Sequence, residues 1–207
     1  MRGEMPLFIF GYIMAAELSF TPIKRIITDF PHASKINSIL YELIKENVKT
    51  AVIGGGKRTD WQFANDKTGS KELKILSDWI YEILPQIVFL VAQGHNDSDY
   101  NPKLLGFNPT EFVISESWGV HYDKGEGVLF HNHFPYNLSY VYYVRTPEGS
   151  SNLILDNEEM FLKEGQIIFF LAHEFHCVEP CDVGGRCCIA GNILYSPKGS
   201  NHLDIKS

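Results

Sequence analysis

At 207 residues, 44% apolar and 21% charged, the chain has the make-up of an ordinary globular domain with enough length to bury a core. Its 18 basic and 25 acidic side chains leave a net charge of −7, which argues against coating nucleic acid or an anionic membrane as the main role. Aromatics at 13%, including 14 Phe and 10 Tyr, lean towards sheet structure.

The chain opens with "MRGEMPLFIFGYIMAAELSF", one Arg and then an apolar stretch to Ala16 that weakly suggests a leader peptide. It is too short to cross a bilayer, and Pro6 and Gly11 interrupt it. Residues 1–13 read as an upstream extension or an edge strand, with an ordinary domain start after Met14. No other segment is long and apolar enough to be transmembrane, and the expected location is the cytoplasm.

From Ser34 to Lys49, Ile36, Ile39, Leu40, Leu43, Ile44 and Val48 recur at intervals of three and four, which predicts a helix capped by Ser34. The turn-rich loop "GGGKRTDWQF" follows. Its Gly56-Lys57 pair is not a phosphate loop, because Ala51 stands where the first glycine would be. A second helix is predicted from about Ser70 through Leu73, Leu76, Trp79, Ile80 and Ile83 towards Gly94, kinked or split at Pro85. "GHNDSDYNPKLLGFNP" is a polar loop.

After Thr110 the texture changes. "EFVISESWGVHY", "GVLFHNH", "LSYVYYVRT", "SNLILDN", "QIIFFLAH", "HCVEP" and "RCCIAGNILY" are short runs rich in β-branched and aromatic residues, divided by turns such as "DKGEG", "TPEGS" and "DVGG". About seven short strands without an intervening helix predict a sandwich or barrel, here a jelly roll. The expected whole is one α+β domain: a mainly helical lead-in over residues 1–109, a jelly-roll core over 110–196 and a tail over 197–207.

All four cysteines, Cys177, Cys181, Cys187 and Cys188, crowd into one short stretch. Their C-x3-C-x5-C-C spacing matches no zinc module and no spread-out disulfide framework, so reduced thiols are expected.

The chemistry concentrates in "FHNHFP". Side chains at i and i+2 of a strand share a face, so His131 and His133 can converge on one point. His176, several strands later in "HCVEP", can return beside them in a rolled-up sheet. Neutral imidazoles are natural ligands for iron, zinc or copper. "HEFH" at 173–176 lacks one residue of H-E-x-x-H and is not on a helix, which leaves His173 a surface or supporting residue. Arg186 opens an apolar strand close to the metal candidate, and a guanidinium entering such an interior wants a carboxylate. Tyr122 and Tyr143 have hydroxyls able to reach the same anion, or they fill the core; Tyr142 and Tyr143 point to opposite faces, so only one faces the site.

Laid out this way, the motifs "HNHFPYNLSYVYYV", "EGQIIFFLAHEFHCVEP" and "GGRCCIAGNILY" resemble the Fe(II)- and 2-oxoglutarate-dependent oxygenases. The likeness covers about residues 110–195 and is nearest to small bacterial and phage members that share a tryptophan near the first strand, here Trp118. It implies a double-stranded β-helix with Fe(II) bound by His-x-Asp/Glu and a distal His. Carried over, His131 is the first ligand, His176 the distal ligand, and Arg186 the anchor for the far carboxylate of 2-oxoglutarate, with Tyr143 and Tyr122 against that carboxylate. The implied reaction couples decarboxylation of 2-oxoglutarate by O2 to hydroxylation of a C–H bond in a peptide or protein side chain or a small metabolite.

The departure is at position 133, where the family pattern expects an acid and this chain has His. His133 completes a three-histidine site, or stands aside, or yields to an acid from elsewhere such as Glu174 or Asp156; the same-face geometry favours His133. Two rival readings remain: a cupin-type metalloenzyme, for which Gly125 and the H-x-H fit but Arg186 has no task, and a non-catalytic jelly-roll binding module.

Overall fold

A computed structural model of the chain describes residues 25–61, 69–93 and 108–197. Residues 1–13 and nearly all of the polar loop after the second helix lie outside these segments, as does almost all of the tail.

The first helix, α1 (Ala33–Asn47), buries Ile36, Asn37, Leu40 and Ile44 along one stripe and stops where Val48 turns extended. Its N-cap is His32 without a side-chain cap bond, two residues before the expected Ser34. The second, α2 (Lys71–Gln93), starts where the Ser70 hydroxyl accepts from the Leu73 backbone N–H at 3.2 Å. It runs unbroken through Pro85, against the expectation of a split. The physical reason is the stripe Leu73, Leu76, Ile80, Leu84, Ile87, Val88 and Val91, all buried on both sides of the proline. Each such side chain gains about 1.5–3 kcal/mol on burial, which together outweighs the roughly 3 kcal/mol of one interior proline.

Among the described residues eleven strands form two antiparallel sheets. They are β1 (Arg25–Asp29), β2 (Val48–Ala51), β3 (Lys57–Thr59), β4 (Phe112–Tyr122), β5 (Val128–His131), β6 (Leu138–Arg145), β7 (Leu153–Leu155), β8 (Glu158–Met160), β9 (Gln166–Leu171), β10 (His176–Val178) and β11 (Arg186–Tyr195). The larger sheet has the order β1-β9-β6-β11-β4-β3-β2, the smaller β5-β10-β7-β8. Beside its two helices the lead-in also contributes β1 to the edge beside β9, and the β2–β3 hairpin beside β4. β1 and β3 owe their conformation to pairing with distant strands, and β2 to its hairpin with β3, signals that local periodicity lacks.

Alternation along the central strands sends side chains into two cores. Tyr140, Tyr142 and Val144 of β6, Ile167 and Phe169 of β9, and Cys187 and Ile189 of β11 pack with α1 and α2. Their neighbours Val141, Tyr143, Ile168, Phe170 and Cys188 pack on the other face, with Leu153, Leu155 and Val178 of the smaller sheet. The larger sheet thus has helices on one face and the smaller sheet on the other, an α+β arrangement. Gly119 permits the helix side of it: a Cβ there would lie 2.6 Å from Ile44 of α1. Cys187 and Cys188 are split between the two cores, and all four cysteines are free. Among the described residues no helix is long and apolar enough to cross a membrane.

Candidate metal centre

The second core is incompletely filled. Between the sheets lies a cavity of about 540 Å³ whose walls include His131, His133, His176, Arg186 and Tyr122.

The histidines arrive from two strands of the smaller sheet. His131 ends β5 and faces His176 of β10 in register. His133 lies two residues past the end of β5, where its N–H donates to the Ala172 carbonyl at 2.7 Å and holds the chain in place. The three ligand atoms lie within 4.8 Å of one another, and the Nε2 atoms of His131 and His133 are 3.2 Å apart. On His131, Nδ1 donates to the Leu129 carbonyl at 2.7 Å, and on His176, Nδ1 donates to the Glu174 carbonyl at 3.1 Å. Those acceptors place the ring protons on Nδ1 and leave the Nε2 lone pairs for a metal. Trp118 stacks on His133 with ring centroids 5.7 Å apart, and Phe170 meets His176 edge-on.

Burial, reinforced by the neighbouring His131, lowers His133 to about 4 and His176 to about 3. Both are neutral near pH 7, the form that binds metal. Three imidazoles with free Nε2 atoms fit iron, and equally other first-row divalent ions.

At the other part of the cavity Arg186 is 1% exposed, with no carboxylate beside it among the described residues. Its Nη2 donates to the Tyr143 hydroxyl at 3.4 Å, and its guanidinium lies over the Tyr122 ring at 4.7 Å and the Tyr143 ring at 5.3 Å. Its Nε and Nη1 are buried without a partner. Burial pushes the Tyr143 phenol up to about 12 and raises Tyr122 as well, so both remain neutral donors. A cation with two free N–H groups and two phenols is a receptor for a carboxylate. Tyr142 instead turns to the helices and donates to Asn37.

The two acids considered as replacement ligands are occupied elsewhere. Glu174 accepts from Arg25 Nε at 2.9 Å and from the Leu171 N–H at 3.0 Å; Asp156 accepts from the Phe175 N–H and lies 3.9 Å from Arg25. His173 is exposed and outside the histidine cluster. The acid that does line the cavity is Glu116, which the sequence reading passed over. Its position two residues before Trp118 on one strand, sharing that residue's face, is the signal that was available.

No protein-family model matches the chain, and no curated protein does. Solved structures do. A prolyl-4-hydroxylase from Pseudomonas putida superposes with TM-score 0.55 at 17% identity, over 83% of this chain and 92% of that one. The viral collagen prolyl hydroxylase of Paramecium bursaria Chlorella virus-1, solved with 2-oxoglutarate, gives 0.57 at 13% identity, over 82% and 95%. An oxidoreductase of the 2-oxoglutarate–Fe(II) oxygenase family from Burkholderia pseudomallei gives 0.56 at 10% identity, over 88% and 94%. The chain has the fold of the 2-oxoglutarate–Fe(II) oxygenases.

Proposed function

We propose that the protein is an Fe(II)- and 2-oxoglutarate-dependent dioxygenase, a single domain built on a double-stranded β-helix. The observation that carries this reading is Arg186: a buried guanidinium with Nε and Nη1 unpaired, in the same cavity as three converging histidines. A buried unpaired charge costs several kcal/mol, and a cavity that keeps one is arranged for an anion.

His131, His133 and His176 hold Fe(II), which when bound supplies the redox chemistry that couples O2 reduction to oxidation of 2-oxoglutarate and a C–H bond. Arg186 takes the far carboxylate of 2-oxoglutarate through its free N–H groups, and the Tyr143 and Tyr122 hydroxyls complete the cradle. The phenols do not ionise near neutral pH, so they add donors without adding negative charge. Trp118 and Phe170 wall the histidines with apolar rings and keep water from the reacting centre. Overall, 2-oxoglutarate, O2 and R–H become succinate, CO2 and R–OH, with R–H in a peptide or protein side chain or a small metabolite.

The test is succinate formation by protein purified without oxygen and reloaded. Succinate that requires Fe(II), O2 and 2-oxoglutarate together supports the reading. No succinate above the rate of an Arg186→Met variant, across peptide and metabolite pools, contradicts it.

A further inference from the structure

One row of polar side chains crosses three strands at the edge of the histidine cluster. Glu116 of β4 pairs in register with Asn192 of β11, and Asn192 pairs in register with Ser139 of β6. Asn192 Nδ2 donates to Glu116 Oε2 at 3.1 Å, and the Ser139 hydroxyl donates to Asn192 Oδ1 at 2.9 Å. Asn192 and Ser139 are each 2% exposed, so the amide is locked in one orientation. All three line the cavity together with His133, and the Asn192 amide favours the protonated His133 ring. Since His133 Nε2 faces His131, the ring nitrogen left for Asn192 is Nδ1.

The charges around the cavity make this row significant. Among the described residues Glu116 is the only acidic side chain in its walls, against Arg186 and Arg58. Glu116 forms no ion pair among the described residues. A divalent ion on three neutral imidazoles would add two further positive charges, with no carboxylate in the ligand set to offset them.

We propose that Glu116 acts through Asn192 as a positioning residue for His133, supplying from outside the ligand set the negative charge that an acid at position 133 would have brought. The inference rests on the metal reading above. When His133 Nε2 binds a cation, its Nδ1–H becomes more acidic and a stronger donor towards Asn192 Oδ1. Glu116 accepts from the other end of the same amide and makes Oδ1 a better acceptor. The row also fixes which nitrogen of His133 is free, as the Leu129 and Glu174 carbonyls do for His131 and His176.

The experiment is calorimetric titration of the metal-free full chain with Mn(II), a redox-silent probe, with the thermal midpoint of each metal-free variant measured alongside. Glu116→Gln should raise the Mn(II) dissociation constant about tenfold, in the range for loss of a supporting partner, with little change in the midpoint. In a His133→Asp background, where the ligand set has its own carboxylate, the same change should shift it less than about threefold. Should His133→Asp fail to fold, Asn192→Ala serves instead, and there too Glu116→Gln should become nearly silent. Unchanged affinity on Glu116→Gln, or an equal loss in every background, overturns the relay while leaving the metal reading in place. A wild-type protein that takes up no Mn(II) overturns both.

Discussion

Arg186 and Tyr122 face each other across the β11–β4 ladder, and the guanidinium carbon lies 4.7 Å from the centre of the phenol ring. Tyr143, on the strand at the other side of β11, closes over the same group at 5.3 Å. Among the described residues two neutral rings and no carboxylate surround this buried cation, and on the proposed reading a ligand supplies the anion it lacks. Four consequences of the architecture can be measured apart from turnover.

Arg186→Met removes a buried charge and leaves a side chain of comparable length. Without 2-oxoglutarate the variant should be as stable as the parent or more so, by about 1–4 kcal/mol, because no buried carboxylate is orphaned. With 2-oxoglutarate the parent should gain stability and the variant should not. A clear loss of stability in the ligand-free variant would make Arg186 a structural residue.

Gly127 sits where the chain turns into β5, and a Cβ there would lie 2.3 Å from the Val178 carbonyl oxygen and 2.9 Å from the Glu179 carbonyl carbon. Both are backbone atoms and cannot swing aside. Gly127→Ala should force β5 away from β10, lower stability by several kcal/mol and part His131 from His176. Urea unfolding and metal stoichiometry read the two effects; a variant within about 0.5 kcal/mol of the parent would show that the two strands can separate freely.

Arg25 joins β1 to the far end of the site. It pairs with Glu174 and Glu158 and donates to the Leu155 carbonyl at 3.0 Å. Glu174 is 3% exposed, and its carbonyl holds His176 in its tautomer. Arg25→Ala leaves that carboxylate buried and unpaired, at a cost of about 3–5 kcal/mol. Addition of Glu174→Gln should recover much of the loss; no recovery would place the effect in β1 pairing instead.

The metal-free protein should lose stability in mild acid. His133 and His176 fall to about 4 and about 3 in the folded state, below the ordinary value of 6.5. Between those values the unfolded chain binds protons that the folded chain does not, so this stability is fully present above about pH 6.5 and lost as pH falls towards 4 and 3. Urea midpoints at pH 7.5 and pH 5 should differ, and a His133→Gln, His176→Gln double variant should narrow the difference. An unchanged difference would assign it to other groups.

Much of this was legible in the residues, for identifiable reasons. The α2 stripe spans about five turns and survives its proline because the same face remains apolar on both sides. His131, His133 and Arg186 stood out because each is a polar residue placed where a strand should carry apolar ones. The arrangement of β1 to β3 was not legible, since β1 and β3 take partners from strands far along the chain and β2 is held by β3. The fate of Glu174 depends on Arg25, 149 positions away, which no local pattern connects. Glu116 was hidden for a related reason: on a strand it is an ordinary alternating polar residue, and only its register with Asn192 and Ser139 brings it to His133.

On the proposed reading, one cavity holds a metal on His131, His133 and His176 and a dicarboxylate on Arg186. The most direct measurement is anaerobic calorimetry, titrating Fe(II) and then 2-oxoglutarate into metal-free protein. The predicted result is one Fe(II) per chain, 2-oxoglutarate binding that tightens once iron is present, and an Arg186→Met variant that keeps the iron but loses the 2-oxoglutarate. Failure of the protein to take up Fe(II), or 2-oxoglutarate binding that is indifferent to both the metal and Arg186, would contradict it.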